Sequence, residues 1–156
     1  MAGDATLLID ADLRQPSLHR LFGTANDAGF ATYLSGGGGG ALPTVATGVS
    51  NLTLLPAGPT PPNPAELLAS ERFRAALIAA RESATFVIID APPVTALADA
   101  LAIAAVADGT LLIVRAGHTR RPAAQRAKEQ LGRVGARLLG VVLTDAKVGR
   151  GEYRYG

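Results

Sequence analysis

Two apolar segments that each end in a carboxylate constrain the fold of this chain more than any other feature. Residues 7–9 (Leu-Leu-Ile) precede Asp10, and residues 86–89 (Phe-Val-Ile-Ile) precede Asp90. Uninterrupted apolar runs bounded by polar residues are typical of parallel strands buried on both faces. Open α/β folds bind ligands beyond the carboxyl ends of such strands, so both acids are predicted to lie at a ligand-binding edge.

The remaining sequence alternates between apolar strands and helical patterns, which predicts a parallel α/β sheet. Residues 1–146 are expected to form one domain, and residues 147–156 a flexible tail that contains two tyrosines. Strands are predicted over 7–9, 52–55, 86–89, 110–114 and 138–143, and helices over 16–22, 64–80, 99–106 and 121–134.

The start of the helix at residue 64 carries the clearest local signals. Asn63 is predicted to cap it, Pro64 suits its first position, and Glu66 completes an arrangement similar to a capping box. Apolar residues at helical spacing, including Phe73 and Ala80, are expected to face the sheet. The five glycines at 36–40 have no following Lys and are predicted to be a surface loop.

Composition excludes several classes of protein. The chain has no cysteine, so it forms neither disulfides nor thiolate metal sites. A net charge of +2 and an aromatic content of 4% argue against nucleic acid as a partner. Glycine and proline interrupt the uncharged stretch over 31–65, which therefore is not predicted to span a membrane.

The acids suit a site for a metal ion and phosphate. Asp10 and Asp12 would point the same way on an extended strand, roughly 7 Å apart, and Arg14 would continue that phase. Asp10 and Asp90 could supply the carboxylates that Mg²⁺ prefers beside water and phosphate oxygens. The alternative is that each Asp simply terminates a strand, since Asp favours turns and helix caps. A Gly-x-x-x-x-Gly-Lys-Ser/Thr phosphate loop is absent from the sequence.

Three segments resemble the bacterial tyrosine kinases that control capsule and exopolysaccharide export. Residues 8–14 (Leu-Ile-Asp-Ala-Asp-Leu-Arg) are similar to the second Walker A-type motif of that family, and residues 88–93 (Ile-Ile-Asp-Ala-Pro-Pro) to its Walker B motif. Residues 55–68 (Leu-Pro-Ala-Gly-Pro-Thr-Pro-Pro-Asn-Pro-Ala-Glu-Leu-Leu) resemble a family hallmark that septum-site and partition ATPases do not share.

This resemblance implies the doubly wound sheet of P-loop NTPases, without its first strand, phosphate loop and following helix. It implies ATP and Mg²⁺ as cofactors, with Asp90 holding the metal and Asp10 supporting the metal shell. Asp12 would accept the proton of an attacking tyrosine, and Arg14 would lie in the phosphate environment. Tyr153 and Tyr155 in the tail would be the phosphoacceptors.

The resemblance also implies a setting for the protein. The kinase domain would be cytoplasmic, at the inner face of the membrane, held by a membrane adaptor or activator of polysaccharide export or by a missing segment. Homo-oligomers are expected for the full-length protein. Without the phosphate loop this chain is expected to be inactive alone, and without the first strand its sheet is expected to expose apolar edges.

Two other functions stay open. One is a partition or division ATPase of the same superfamily, which hydrolyses ATP without forming phosphotyrosine. The other is a non-catalytic domain that binds a partner of the export complex or serves as a phosphorylation substrate.

Overall fold

The computed structural model describes residues 3–37, 40–95 and 98–146. The chain divides into two compact units, Met1–Ile103 and Ala104–Gly156. The predicted tail over 147–156, with Tyr153 and Tyr155, lies outside the described residues. Within the described ranges no helix is long and apolar enough to cross a membrane.

The first unit is built on a four-stranded sheet in the order β2-β3-β1-β4. Strand β1 lies between β3 and β4 and runs parallel to both, as the apolar runs predict. The two-residue β2 pairs antiparallel with β3 and was not predicted, because so short a segment has no periodicity. The strands are β1 (Thr6–Asp10), β2 (Val45–Ala46), β3 (Leu52–Leu55) and β4 (Phe86–Asp90).

The hydrophobic core of the first unit lies on one face of this sheet. Phe30 and Phe73 are both buried, with ring centroids 5.9 Å apart, and they belong to the same core cluster as Leu7 and Ile9 of β1. Alternate residues of the strand therefore face this core. The helices are α1 (Leu18–Phe22), α2 (Phe30–Thr32) with a wide turn over Tyr33–Gly37, α3 (Pro64–Leu68), α4 (Glu71–Ser83) and α5 (Asp99–Ala104).

The helix predicted from residue 64 to residue 80 is in fact two helices, so that prediction is wrong. The Ser70 hydroxyl accepts a hydrogen bond from the amide of Phe73 at 3.2 Å and starts α4 as a new helix. The predicted position of Asn63 as N-cap and of Pro64 as first helical residue is confirmed, but the predicted capping bond is absent. The Asn63 side-chain amide donates to the Glu66 carboxylate at 2.8 Å, and Asn63 makes no side-chain bond to the backbone of α3.

The proline-rich loop over 56–62 is fixed by main-chain contacts. The amides of Phe30 and Ala31 donate to two of its carbonyls, at 2.7 and 2.8 Å. Asn26 makes a reciprocal pair with Gly58, accepting from its amide at 2.8 Å and donating to its carbonyl at 2.9 Å. Gly58 has a φ of +80°, which favours glycine at this position. The loop thus keeps one conformation beside the sheet.

The second unit contains a parallel pair of strands, β5 (Thr110–Arg115) and β6 (Leu138–Thr144). Helix α6 (Arg121–Arg133) connects them and buries Ala127 and Leu131. All three elements agree with the sequence prediction to within one residue at each end. A crossover helix between parallel strands is the βαβ unit that the alternating pattern indicates.

Strand β4 leaves apolar surface and one backbone edge uncovered. It pairs with β1 on one side, and the described sheet ends there. Phe86 and Ile88 of this strand are 56% and 54% exposed. An exposed apolar edge strand is a template for pairing with another chain.

We expect the isolated chain to self-associate through this edge. Ile88→Lys places a charge on the strand and should shift the chain toward monomer in analytical ultracentrifugation. Leu21→Lys is the matched control, since Leu21 is 75% exposed and lies on α1 rather than on a strand. A wild-type chain that stays a monodisperse monomer, or a control as effective as Ile88→Lys, would contradict the expectation.

The two asparagines provide a test of the loop contacts. Asn26→Ala should lower the free energy of unfolding by about 1–2 kcal/mol, because it leaves the amide and the carbonyl of Gly58 without hydrogen-bond partners. Asn63→Ala should cost less than about 0.5 kcal/mol, because it removes only an exposed contact. Urea denaturation measures the free energy of unfolding of both variants. Equal losses would show that the Asn26 contacts stabilise the fold no more than the exposed Asn63 contact does.

Candidate functional site

Asp10 and Asp90 lie side by side at the carboxyl edge of the sheet. They are the last residues of β1 and β4 and are register partners across adjacent parallel strands. Their Cα atoms are therefore about 4.8 Å apart, and their side chains project from the same sheet face. The amide of Ala11 donates to the Asp90 carbonyl at 2.9 Å, which continues the pairing beyond the strand.

The Asp10 carboxylate is fully buried and has two different oxygens. Its Oδ2 accepts hydrogen bonds from the amides of Ser17 and Leu18, at 3.1 and 3.0 Å, and so caps the start of α1. Its Oδ1 has no hydrogen-bond partner. Burial raises the pKa of Asp10, although the backbone amides of Leu18, Ser17 and Asp12 act in the opposite direction. One oxygen thus has a structural role and the other is available.

Asp90 is the more open of the two acids. The residue is exposed at the end of the edge strand, with its carboxyl partly withdrawn from solvent. That partial burial raises the pKa of Asp90, and the negative charges of Asp10 and Asp12 raise it further. The negative charges of these three carboxylates therefore act on one another, and a bound cation would offset their repulsion.

Asp12 lies beyond the strand rather than on it. Because β1 ends at Asp10, the predicted strand alternation through Asp12 and Arg14 does not hold. The Asp12 Oδ1 accepts from the amides of Arg14 and Gln15, at 3.2 and 2.9 Å, and closes a turn. The residue is only partly buried.

Arg14 is held by a residue that the sequence did not single out. Its Nε donates to Oδ2 of Asp99 at 2.7 Å, and its Nη2 reaches Oδ1 of the same residue at 3.4 Å. Asp99 is only 2% exposed, whereas the Arg14 side chain is 40% exposed. The hydrogen bond to Asp99 raises the pKa of Arg14. The sequence signal for Asp99 is weak, because an acid in the first turn of a helix is common.

The acids suit a magnesium ion that completes its shell with water and phosphate. In the described ranges no group of three or more His, Asp or Glu side chains could hold a metal by itself. Mg²⁺ usually binds one or two carboxylates and keeps several waters, so Asp10 and Asp90 fit that requirement. The unpartnered Oδ1 of Asp10 is the observation that favours a cation here.

Curated relatives of the chain are tyrosine-protein kinases. The chain is 38% identical over 154 residues to tyrosine-protein kinase YwqD of Bacillus subtilis, covering 98% of the chain and 65% of that protein. It is 36% identical over 156 residues to tyrosine-protein kinase CpsD of Streptococcus agalactiae, covering 99% of the chain and 67% of that protein. The chain thus spans about two thirds of these relatives. No family model matches it.

Solved structures give the same result for the fold. The kinase domain of the Escherichia coli tyrosine kinase ETK superposes with a TM-score of 0.88 at 31% identity, covering 98% of the chain and 60% of that domain. The septum site-determining protein MinD from Pyrococcus horikoshii, solved with Mg-ADP, gives a TM-score of 0.70 at 19% identity, over 90% of the chain and 58% of MinD. The second likeness concerns the fold alone.

The raised pKa of Asp10 gives a prediction for stability against pH. A carboxyl that binds its proton more tightly when folded stabilises the chain at low pH, and that stability is lost as pH rises from the ordinary value of 3.8 through the raised one. Asp10→Asn cannot ionise and keeps an oxygen acceptor for the α1 amides. Its free energy of unfolding should exceed that of wild type at neutral pH, with a difference that vanishes in acid.

Urea denaturation at several pH values measures this difference. Asp27→Asn is the control, because Asp27 is exposed. A stability curve for Asp10→Asn that runs parallel to that of wild type at every pH would contradict the prediction.

Proposed function

We propose that this chain, which belongs to the bacterial tyrosine-protein kinase family, contributes part of a tyrosine kinase active site. That part binds the metal ion and receives the tyrosine that accepts the phosphoryl group. The observation that carries the proposal is the register of Asp10 with Asp90, which brings two carboxylates to one ligand-binding edge. The family is given by the relatives, whereas the activity of this chain is our inference.

Each acid has a separate role in the proposed site. Asp90, at the open edge, binds Mg²⁺ mainly through water, and Asp10 supports the metal shell through its unpartnered Oδ1. Asp12 accepts the proton of an attacking tyrosine hydroxyl on the oxygen that closes no turn. An ordinary Asp is a weak base beside a phenol of pKa about 10. Positioning and charge neutralisation contribute more to phosphoryl transfer than the strength of the base.

Arg14 belongs to the phosphate environment of this proposal. Asp99 holds Nε and Nη2, so the guanidinium is fixed in one orientation while part of it stays exposed. A preorganised cation neutralises developing charge without reorganising during the reaction. When bound, ATP would supply the phosphoryl group and its Mg²⁺ would supply positive charge at the edge.

The proposed site is incomplete within this chain, and the edge of the sheet at β4 is the position where another segment would complete it. The sequence has no Lys-bearing phosphate loop. Asp90 lies on the edge strand, so a strand that paired in parallel with β4 would place its own carboxyl end beside the acids. We infer that a partner chain or a further segment completes the site there, and that the chain alone has little or no kinase activity.

The setting of the proposed kinase follows from the family. We place it at the cytoplasmic side of the membrane with an adaptor of capsule or exopolysaccharide export, in an oligomer. The phosphoacceptors are Tyr153 and Tyr155, whose phosphorylation adds about −1.5 to −2 charges at each site.

Nucleotide titration tests the role of the acids. A fluorescent ATP analogue is titrated into the chain with and without Mg²⁺, for wild type, Asp90→Asn and the control Asp27→Asn. We expect Mg²⁺-dependent binding that Asp90→Asn weakens about tenfold to hundredfold, as for groups that orient a metal shell. Asp27→Asn should bind as wild type does.

Each other outcome points to a different function. Absence of binding up to millimolar nucleotide would overturn the nucleotide site and favour a non-catalytic partner-binding domain. ATP hydrolysis without phosphotyrosine would favour a partition-type ATPase. Sustained transfer of γ-phosphate to Tyr153 or Tyr155 by the purified chain would refute our inference that the site is incomplete.

A further inference from the structure

The two units of the chain carry opposite net charge. Met1–Ile103 has five basic and nine acidic residues, whereas Ala104–Gly156 has ten basic and four acidic residues. Net charges of −4 and +6 are therefore hidden within the small overall value of +2. A charge asymmetry of this size between two parts of a chain indicates a partner of opposite charge for one of them.

Four of the ten basic residues of the second unit lie on helix α6. Arg121 and Lys128 are seven residues apart, as are Arg126 and Arg133, so each pair lines up along the helix about 10 Å apart. All four are exposed. We call these residues, with Arg120 and Arg137 at the two ends, the basic face of α6.

Neighbouring acids offset the charge of the basic face only in part. Within the part of the chain that the structure describes, none of its six cations forms an ion pair. Glu129 is the one acidic residue of α6. In the same unit Arg115 does pair with Asp145, so the basic face differs from an ordinary mixed surface.

Among these charges, Arg133 in the last turn favours the stability of the helix, whereas the cations of the first turn do not. Arg120 is the N-cap of α6 and provides no side-chain cap, and the first turn contains no acid. Cations near a helix N-terminus act against the helix dipole. The cations at the start of α6 therefore cost the helix free energy, which points to a role outside the fold.

The surroundings of the basic face identify the kind of partner. The helix buries Ala127 and Leu131 within its own unit and has no large exposed apolar side chain. Protein interfaces depend on buried apolar or aromatic anchors, which this face lacks. The described residues of the second unit contain no Phe, Tyr or Trp, which are the usual stacking partners of bases in single-stranded nucleic acid. A membrane with anionic headgroups requires only positive charge from a peripheral protein.

We propose that the basic face of α6 binds an anionic lipid surface directly. Because the apolar side of the helix is already buried, the contact is electrostatic and peripheral, without insertion. The inference does not depend on kinase activity, since it rests on the second unit alone.

Flotation with vesicles tests the proposal and separates bound protein from aggregates, which do not float. The full chain is mixed with vesicles of phosphatidylglycerol and phosphatidylcholine, or of phosphatidylcholine alone. We expect flotation with the anionic vesicles only, lost at about 1 M salt, where the screening length is about 3 Å. Flotation with the neutral vesicles to the same extent would overturn the proposal in favour of apolar adsorption.

A charge-matched pair of variants localises the effect. Arg121→Gln/Arg126→Gln/Arg133→Gln should lower the partition coefficient on the order of a hundredfold, because each cation near the surface is worth about fivefold. Arg72→Gln/Arg74→Gln/Arg81→Gln makes the same change in net charge on the exposed arginines of α4 and should bind as wild type does. Equal losses in both variants would overturn the assignment to α6.

Nucleic acid is the remaining alternative, and the same variants decide it. Single-stranded RNA and duplex DNA are titrated at the salt concentration of the flotation experiment. Weaker binding to both than to anionic vesicles supports the proposal. Tighter binding to either, lost in the α6 variant, would reassign the basic face to nucleic acid.

Discussion

The pairing of β1 with strands on both of its edges is the constraint on which the site depends. Hydrogen bonds to β3 and β4 fix the register of Asp10 against Asp90. A slip of one residue would turn Asp10 toward the apolar core, because successive side chains face opposite sides of the sheet. The same carboxylate then caps α1, so the helix and the acid edge are positioned by one strand.

The acids are held at a cost to the fold. Asp10 is fully buried with one oxygen unpartnered, and burial raises the pKa of both Asp10 and Asp90. A fold selected only for stability would place an amide or an apolar residue there, since burying an uncompensated carboxylate is unfavourable. Perturbed carboxyls gathered at the end of parallel strands are typical of functional sites. The interpretation of a strand-ending Asp as a helix cap thus holds for Oδ2 of Asp10, while the interpretation as a ligand group stays a prediction for Oδ1.

The sequence predicts those features of the structure that depend on residues close together in the chain. The runs before Asp10 and Asp90 predict their strands because continuous burial leaves a continuous apolar pattern. The break at Ser70 was missed because helical spacing continues across it, and only the hydroxyl contact to Phe73 reveals a new cap. The partner of Arg14 could not be predicted, because Asp99 is 85 residues away and that contact exists only in the folded unit.

Stability and function are coupled most directly in β4. This strand delivers Asp90 to the site, yet it is also the end of the described sheet, with Phe86 and Ile88 exposed. A strand that covered this edge would bury both side chains and satisfy the free backbone groups. In parallel orientation it would also bring new residues to the acid edge. The same pairing would therefore stabilise the fold and change the site, so occupation of this edge and competence of the site should rise together.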